Sequence, residues 1–149
     1  MSSFGAHTPD RPRNILVALP DDELMGRLQG AFRSMQTPIA LYQVRNEGEI
    51  MAFLRKGGGG DVVPRPDMIL LDESLLPTLG RIKSDSPYSS IPVIVMGDAI
   101  SHETARAYHR LHANACVGKP QDAPAMRSLA AAIEAFWFLT AELPPNKAA

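Results

Sequence analysis

Cysteine, aromatic residues and long apolar stretches are scarce in this chain of 149 residues. The single cysteine, Cys116, excludes a disulfide within the chain and favours a reducing, cytoplasmic location. No apolar stretch approaches the roughly 20 residues of a membrane-spanning helix, and the polar start of the chain lacks the apolar core of a signal peptide. We therefore expect a cytoplasmic protein without a membrane partner.

Excess charge of either sign is also missing. Fifteen Lys and Arg residues face 16 Asp and Glu residues, which leaves a net charge of -1. That balance argues against nucleic acid as a partner, because nucleic-acid-binding domains carry a strong positive footprint. Hydrophobic residues make up 45% of the chain, which suits one soluble domain with a sizeable core.

Five short apolar runs predict strands, and the first, third and fourth of them lack the alternation of a half-exposed strand, which predicts that these three are buried. They lie at 14–19, 39–44, 67–72, 91–96 and 114–117. Helical patterns follow them, at about 23–35, 47–56, 75–84, 101–111 and 122–142. This order predicts an α/β fold, a single flavodoxin-like (βα)5 doubly wound parallel sheet. We expect that domain over 13–142, with a flexible arm at 1–12 and a tail at 143–149.

Charged side chains follow four of the five predicted strands. Asp72 ends the third strand, Asp98 follows the fourth, Lys119 follows the fifth, and Asp21 and Asp22 follow the first. Chemistry in open α/β sheets collects at the carboxyl ends of the strands, so these residues should converge at one edge. Asp72 can equally cap the turn that follows it, and both roles stay open at this point.

An aspartate after a buried strand and a Lys-Pro pair after the last strand together resemble the receiver domain of two-component response regulators. The resemblance covers roughly residues 13–140. It implies that Asp72 accepts a phosphoryl group from a histidine kinase and that Lys119 contacts the phosphate. It also implies a cis peptide bond before Pro120 and a Mg²⁺ ion bound by Asp72 and the backbone carbonyl of Ser74.

The acid pair that holds Mg²⁺ in that family is displaced in this chain. Aligned without gaps, its two positions fall on Leu19 and Pro20, whose side chains do not bind metal. Asp21 and Asp22 come two residues later, and a local shift could return one of them to the metal. Mg²⁺ therefore remains an open expectation.

Two further positions that respond to phosphate in the family are also changed. Gly97 stands where the resemblance expects a Ser or Thr that reads the phosphate. The next residue, Asp98, would repel a phosphate close by. Cys116 stands where the family usually has an aromatic residue, three positions before Lys119. These switch positions predict an atypical receiver, in which phosphorylation is weakened or lost.

The end of the chain carries a narrower resemblance. A glycine-rich loop before PRPDMILLD and the ending AFWFLTAELPP are similar to small stand-alone response regulators associated with phytochromes. This implies that the partner is a histidine kinase, with a bacteriophytochrome as one candidate, or another signalling protein. It also implies a homodimer formed through the fourth and fifth helices. Phe136, Trp137 and Phe138 cannot all face one core at about 100° per residue, which favours a dimer or partner face there.

Three functions remain open on the sequence. The first is a signalling protein that is not an enzyme and that acts through protein–protein contacts. The second is a phosphorylation-competent response regulator with Asp72 as acceptor, and Mg²⁺ binding would distinguish it from the first. A nucleotide- or flavin-binding protein is disfavoured, because the acids after the first strand would repel phosphate.

Overall fold

The computed structural model describes residues 12–35, 38–57 and 63–142, with side chains described as far as Phe136. The strands are β1 (Arg13–Ala18), β2 (Ile39–Val44), β3 (Met68–Asp72), β4 (Val93–Gly97) and β5 (Ala115–Gly118). The helices are α1 (Asp22–Arg33), α2 (Glu47–Lys56), α3 (Pro77–Ser84), α4 (His102–Arg110) and α5 (Ala123–Glu142). The predicted arm before residue 12, the tail and glycines 58–60 lie outside the described residues.

All five strands run parallel in one sheet, in the order β2-β1-β3-β4-β5. Ala18 pairs with Leu71, Asp72 with Met96, and Gly97 with Gly118, so the carboxyl ends of the central strands lie level with one another. This is the flavodoxin-like doubly wound fold that the alternation of strands and helices predicts, and that prediction is confirmed. The sheet edge brings the residues after β1, β3, β4 and β5 together.

Two apolar layers enclose the sheet, because successive strand side chains point to opposite faces. Ile15 and Val17 of β1 pack in the layer that includes α1 and α5. Leu16 and Ala18 pack in the layer that includes α2, α3 and α4. Each large aliphatic side chain that is fully buried contributes roughly 1.5–3 kcal/mol, so these layers fix the strand ends firmly.

Most element boundaries agree with those expected to within two residues, and two of the differences have a clear local cause. The fourth strand begins at Val93, because the Ile91 N–H donates to the carbonyl of Tyr88 in a turn and Pro92 has no N–H to offer the sheet. The third helical segment divides into a 3-10 turn at Glu73–Leu75 and helix α3, which starts at Pro77. Proline suits a first helical position, where its missing N–H would be unpaired anyway.

Within the described residues, every helix is too short or too polar to cross a lipid bilayer.

Candidate functional site at the carboxyl edge of the sheet

Asp72 is the last residue of β3 and is only 3% exposed. The Lys119 ammonium nitrogen lies 2.8 Å from Oδ1 of Asp72, and the Lys119 side chain is itself only 20% exposed. Oδ1 is fully buried and makes no hydrogen bond of regular geometry within the described chain, so the contact with Lys119 is best described as an ion pair. The sequence prediction that these two residues converge is met by this geometry.

The second oxygen of Asp72 caps the turn that follows. Oδ2 accepts the Ser74 backbone N–H at 3.0 Å and also accepts the Ser74 hydroxyl. Of the two roles that the sequence left open for Asp72, the cap is confirmed, and the chemical role stays a prediction. Such a carboxylate is held in one orientation at the edge of the sheet.

The pKa values of both partners shift toward the charged forms. Burial alone would raise the pKa of Asp72, but the contact with Lys119 and the two hydrogen bonds from Ser74 outweigh it and lower that pKa below its ordinary range. Asp72 raises the pKa of Lys119 against the smaller effect of desolvation. The pair therefore stays ionised at neutral pH.

A second carboxylate shares the lysine. Oδ1 of Asp98 lies 3.6 Å from the Lys119 ammonium nitrogen, and the Asp98 side chain is largely exposed. The ammonium thus stands between a buried and an exposed carboxylate. A phosphoryl group on Asp72 would compete with Asp98 for the same positive charge.

Glu73 is a residue at this edge to which the sequence analysis gave no role. Its Oε2 accepts the Asp98 backbone N–H at 3.0 Å, and its Oε1 accepts the Tyr108 hydroxyl at 3.1 Å. The sequence did carry a signal for it, since a long acidic side chain directly follows Asp72 while Gly97 leaves space at the end of the next strand.

The acids after β1 are engaged in structural contacts. Asp21 is the N-cap of α1, and its Oδ1 accepts the backbone N–H groups of Glu23 and Leu24 at 3.0 and 3.1 Å. Asp22 accepts hydrogen bonds from Gln43 and Arg45, at 2.9 and 2.7 Å, beside the end of β2. Because β2 and β3 flank β1 on opposite sides, Asp22 is directed away from Asp72.

The donor set at this edge does not fit a metal site of the kind the resemblance implies. Leu19 is fully buried in the core, and neither Leu19 nor Pro20 has a side-chain atom that could bind a metal. Across residues 12–35, 38–57 and 63–142, no three His, Cys, Asp or Glu side chains are grouped so that they could hold a metal ion. Asp72 and the Ser74 carbonyl lack a second acid, and metal binding by Asp21 or Asp22 stays a prediction.

The remaining predicted residues are spread over the fold. Cys116 is half-buried in β5 against the core layer that includes α4. Phe136 is half-buried against the layer that includes α1, whereas the side chains of Trp137 and Phe138 lie outside the described residues. The expected cis peptide bond before Pro120 is wrong: the described chain holds no cis bond, and a peptide bond before proline intrinsically prefers trans by about 0.5–1 kcal/mol.

Comparison with known proteins now identifies the family, although no family model matches the chain. A solved structure of the phosphorylated cyanobacterial phytochrome response regulator RcpA is 30% identical, with a TM-score of 0.76, and the match covers 91% of this chain and 100% of that one. The chain belongs to the response regulators.

Two further comparisons agree with that assignment. Response regulator Rcp1 of Synechocystis sp. (strain PCC 6803) is 29% identical over 139 residues, which cover 89% of this chain and 95% of Rcp1. A structure of the Mn²⁺-bound form of Rcp1 has a TM-score of 0.74 at 27% identity and covers 90% of this response regulator and 100% of that chain. The resemblance to the receiver domains of phytochrome response regulators is therefore confirmed.

Proposed function

We propose that this response regulator serves a phytochrome-type histidine kinase, in the cytoplasm, and that it acts through protein–protein contacts with an atypical site around Asp72. The relatives named for phytochromes support the choice of kinase, and a bacteriophytochrome is the predicted type. The observation that carries the atypical site is the engagement of Asp21 and Asp22 in structural contacts. We assign the chain no catalytic turnover of its own.

The charges at the edge support this proposal. A phosphoryl group adds about 1.5–2 negative charges, and its transfer requires cations placed where that charge develops. Lys119 is the cation in contact with Asp72, and Asp98 already draws on it from 3.6 Å. Without an acid pair to hold a divalent ion, Asp72 lacks the second source of positive charge that would make it a good acceptor.

A second candidate function is a phosphorylation-competent response regulator with Asp72 as acceptor. The intact pair of Asp72 and Lys119 at 2.8 Å favours it, because this is the acceptor and phosphate-contacting lysine that the family resemblance implies. It requires a rearrangement in which Asp21 leaves its cap position or Asp22 leaves Arg45.

Phosphorylation by a small donor distinguishes the two functions. The protein is incubated with acetyl phosphate and Mg²⁺, beside an Asp72→Asn variant, and the intact mass is followed over time. The atypical site predicts no gain of one phosphoryl mass in either protein at millimolar donor. A gain that needs both Asp72 and Mg²⁺ would overturn the proposal and establish the second function.

We also propose a homodimer formed through α4 and α5, with neither nucleic acid nor membrane as partner. The three successive aromatics from Phe136 support this, and since Phe136 packs against the core, the dimer face is assigned to Trp137 and Phe138. Sedimentation of the wild type should show a dimer. Replacing Trp137 and Phe138 together by Ser should give a folded monomer, and a monomeric wild type would contradict the assignment.

A further inference from the structure

The space beside Gly97 is filled by another side chain. A Cβ atom built at Gly97 would lie 2.5 Å from Oε1 of Glu73, 3.0 Å from its Cδ and 2.8 Å from Cδ1 of Ile100. The φ angle of Gly97 is not in the left-handed region, so its backbone would accept other residues. The side chains of Glu73 and Ile100, rather than backbone geometry, therefore fill the space that a Cβ atom at Gly97 would take.

That carboxylate joins three elements of the fold. It belongs to the 3-10 turn after β3, accepts the N–H of Asp98 just beyond β4, and accepts the hydroxyl of Tyr108 on α4. Tyr108 is only 8% exposed and packs in the core layer with α2 and α3. Hydrogen bonds to an ionised acceptor are among the stronger ones in proteins, so the bridge restrains α4 relative to the strand ends.

We propose that Glu73 is a built-in anion that fills the space beside Gly97 and holds α4 in one position, whatever the state of Asp72. The inference deepens the proposed function, on which it rests, by naming the group that sets the α4 surface for a partner. Tyr108 and the Asp98 amide are the positioning groups on the other side of the bridge.

In this proposal α4 has two positions, and a nearby negative charge decides which of them is populated. A response regulator in which a hydroxyl reads the phosphate changes its surface only when that anion arrives. The acidic side chain of Glu73 is covalently part of the chain and is present at all times. It therefore supplies an anionic contact without a phosphoryl donor. A ligand that binds two conformations equally well does not shift the equilibrium between them. In this protein the carboxylate of Glu73 already sets the equilibrium between the positions of α4.

Amide hydrogen exchange at Asp98 and along α4 tests the bridge directly. The variants are Glu73→Ala and Glu73→Gln, with Glu103→Gln as matched control, because Glu103 is an exposed acid on α4 itself. Loss of the bridge in Glu73→Ala should speed exchange of the Asp98 amide by about tenfold, and the control should stay within about twofold of wild type. Exchange in Glu73→Ala that matches wild type would overturn the proposal.

Restoring the hydroxyl gives an independent test. Gly97→Ser should push the flexible carboxylate of Glu73 away and reproduce the exchange pattern of Glu73→Ala at Asp98 and in α4. In the Glu73→Ala background, Gly97→Ser should then cause little further change. If Gly97→Ser leaves the Asp98 amide as protected as in wild type, the carboxylate does not occupy that space and the proposal fails. Circular dichroism confirms that each variant is folded.

The outcome is separable from that of the phosphorylation assay. If Asp72 accepts phosphate while amide exchange in α4 of the wild type is the same before and after phosphorylation, the proposal of an atypical site is wrong and the proposed role of Glu73 stands. If Asp72 accepts no phosphate and Glu73→Ala leaves α4 unchanged, the proposed function stands and the role of Glu73 is overturned.

Discussion

Acidic residues at the carboxyl edge of the sheet lie in two different environments. At the ends of β3 and β5, Asp72 is buried and faces Lys119. After β1, the Asp22 side chain is 69% exposed and pairs with Arg45, and Asp21 caps a helix. Residue type alone therefore does not assign a function, because burial and partner decide what each carboxylate can do.

The difference is energetic as well as geometric. Water and salt screen an exposed pair, which contributes roughly 0–1 kcal/mol. A buried carboxylate depends on its counter-ion, and removal of one partner leaves an uncompensated charge. Folding stability should thus depend strongly on mutation and on protonation of the residues at the ends of β3 and β5, and only weakly on those after β1.

The largest expected effect is the loss of Lys119. Lys119→Met should lower the free energy of unfolding by about 3 kcal/mol, because Asp72 would keep a buried charge without its partner. Arg45→Met is the matched control at the exposed pair and should cost under about 1 kcal/mol. Urea unfolding of both variants measures the contrast, and equal losses would contradict it. Combining Lys119→Met with Asp72→Asn should recover part of the loss.

The second largest effect should be on the loss of folding stability at acid pH. Folding lowers the pKa of Asp72 below its ordinary value of 3.8, so the folded protein binds fewer protons and stability falls as the pH falls through that value and below. The Asp72→Asn variant should lose stability less steeply than wild type between about pH 5 and about pH 2. Asp22 and Glu47 also have lowered pKa values, so both proteins still lose some stability at acid pH. Parallel curves would show that Asp72 does not contribute.

The cap at the start of α1 is a smaller effect that sharpens the comparison. Asp21→Ala should cost about 1 kcal/mol, since two backbone N–H groups lose their acceptor. Asp21→Asn should cost only a few tenths of a kcal/mol, because asparagine caps helices about as well. Thermal unfolding in Mg²⁺-free buffer compares the two, and an asparagine variant as unstable as the alanine variant would show that the charge of Asp21, not its cap, is what matters.

The smallest effect belongs to the exposed pair of Asp22 and Arg45. Asp22→Asn should change stability only slightly, and that difference should shrink further in 1 M salt. Urea unfolding at low and high salt measures it. A large loss that persists in salt would mean that Asp22 has a partner stronger than an exposed arginine.

The sequence predicts most of the fold and the proximity of Asp72 to Lys119. Apolar runs locate strands well when both faces are buried, and parallel strand order then brings Asp72 and Lys119 to the same edge. Individual side-chain directions were harder to predict. Whether Asp21 serves a cap or a metal depends on a shift of one or two residues, which periodicity does not resolve. Gly97 was interpreted as a lost hydroxyl, whereas the structure shows that it also makes room for Glu73.

Thermal unfolding in the presence of Mg²⁺ is the most direct test of the claim that the acids after β1 do not bind a metal. An ion that binds only the folded state adds RT ln(1 + [L]/Kd), which is about 0.4 kcal/mol when the concentration equals Kd. We predict that the melting temperature of the wild type in about 10 mM Mg²⁺, roughly tenfold above the Kd of the weakest Ca²⁺ sites, equals that in NaCl of the same ionic strength. A Mg²⁺-specific rise that disappears in Asp72→Asn, and also in Asp21→Asn or Asp22→Asn, would contradict this and show that an aspartate after β1 still binds a metal.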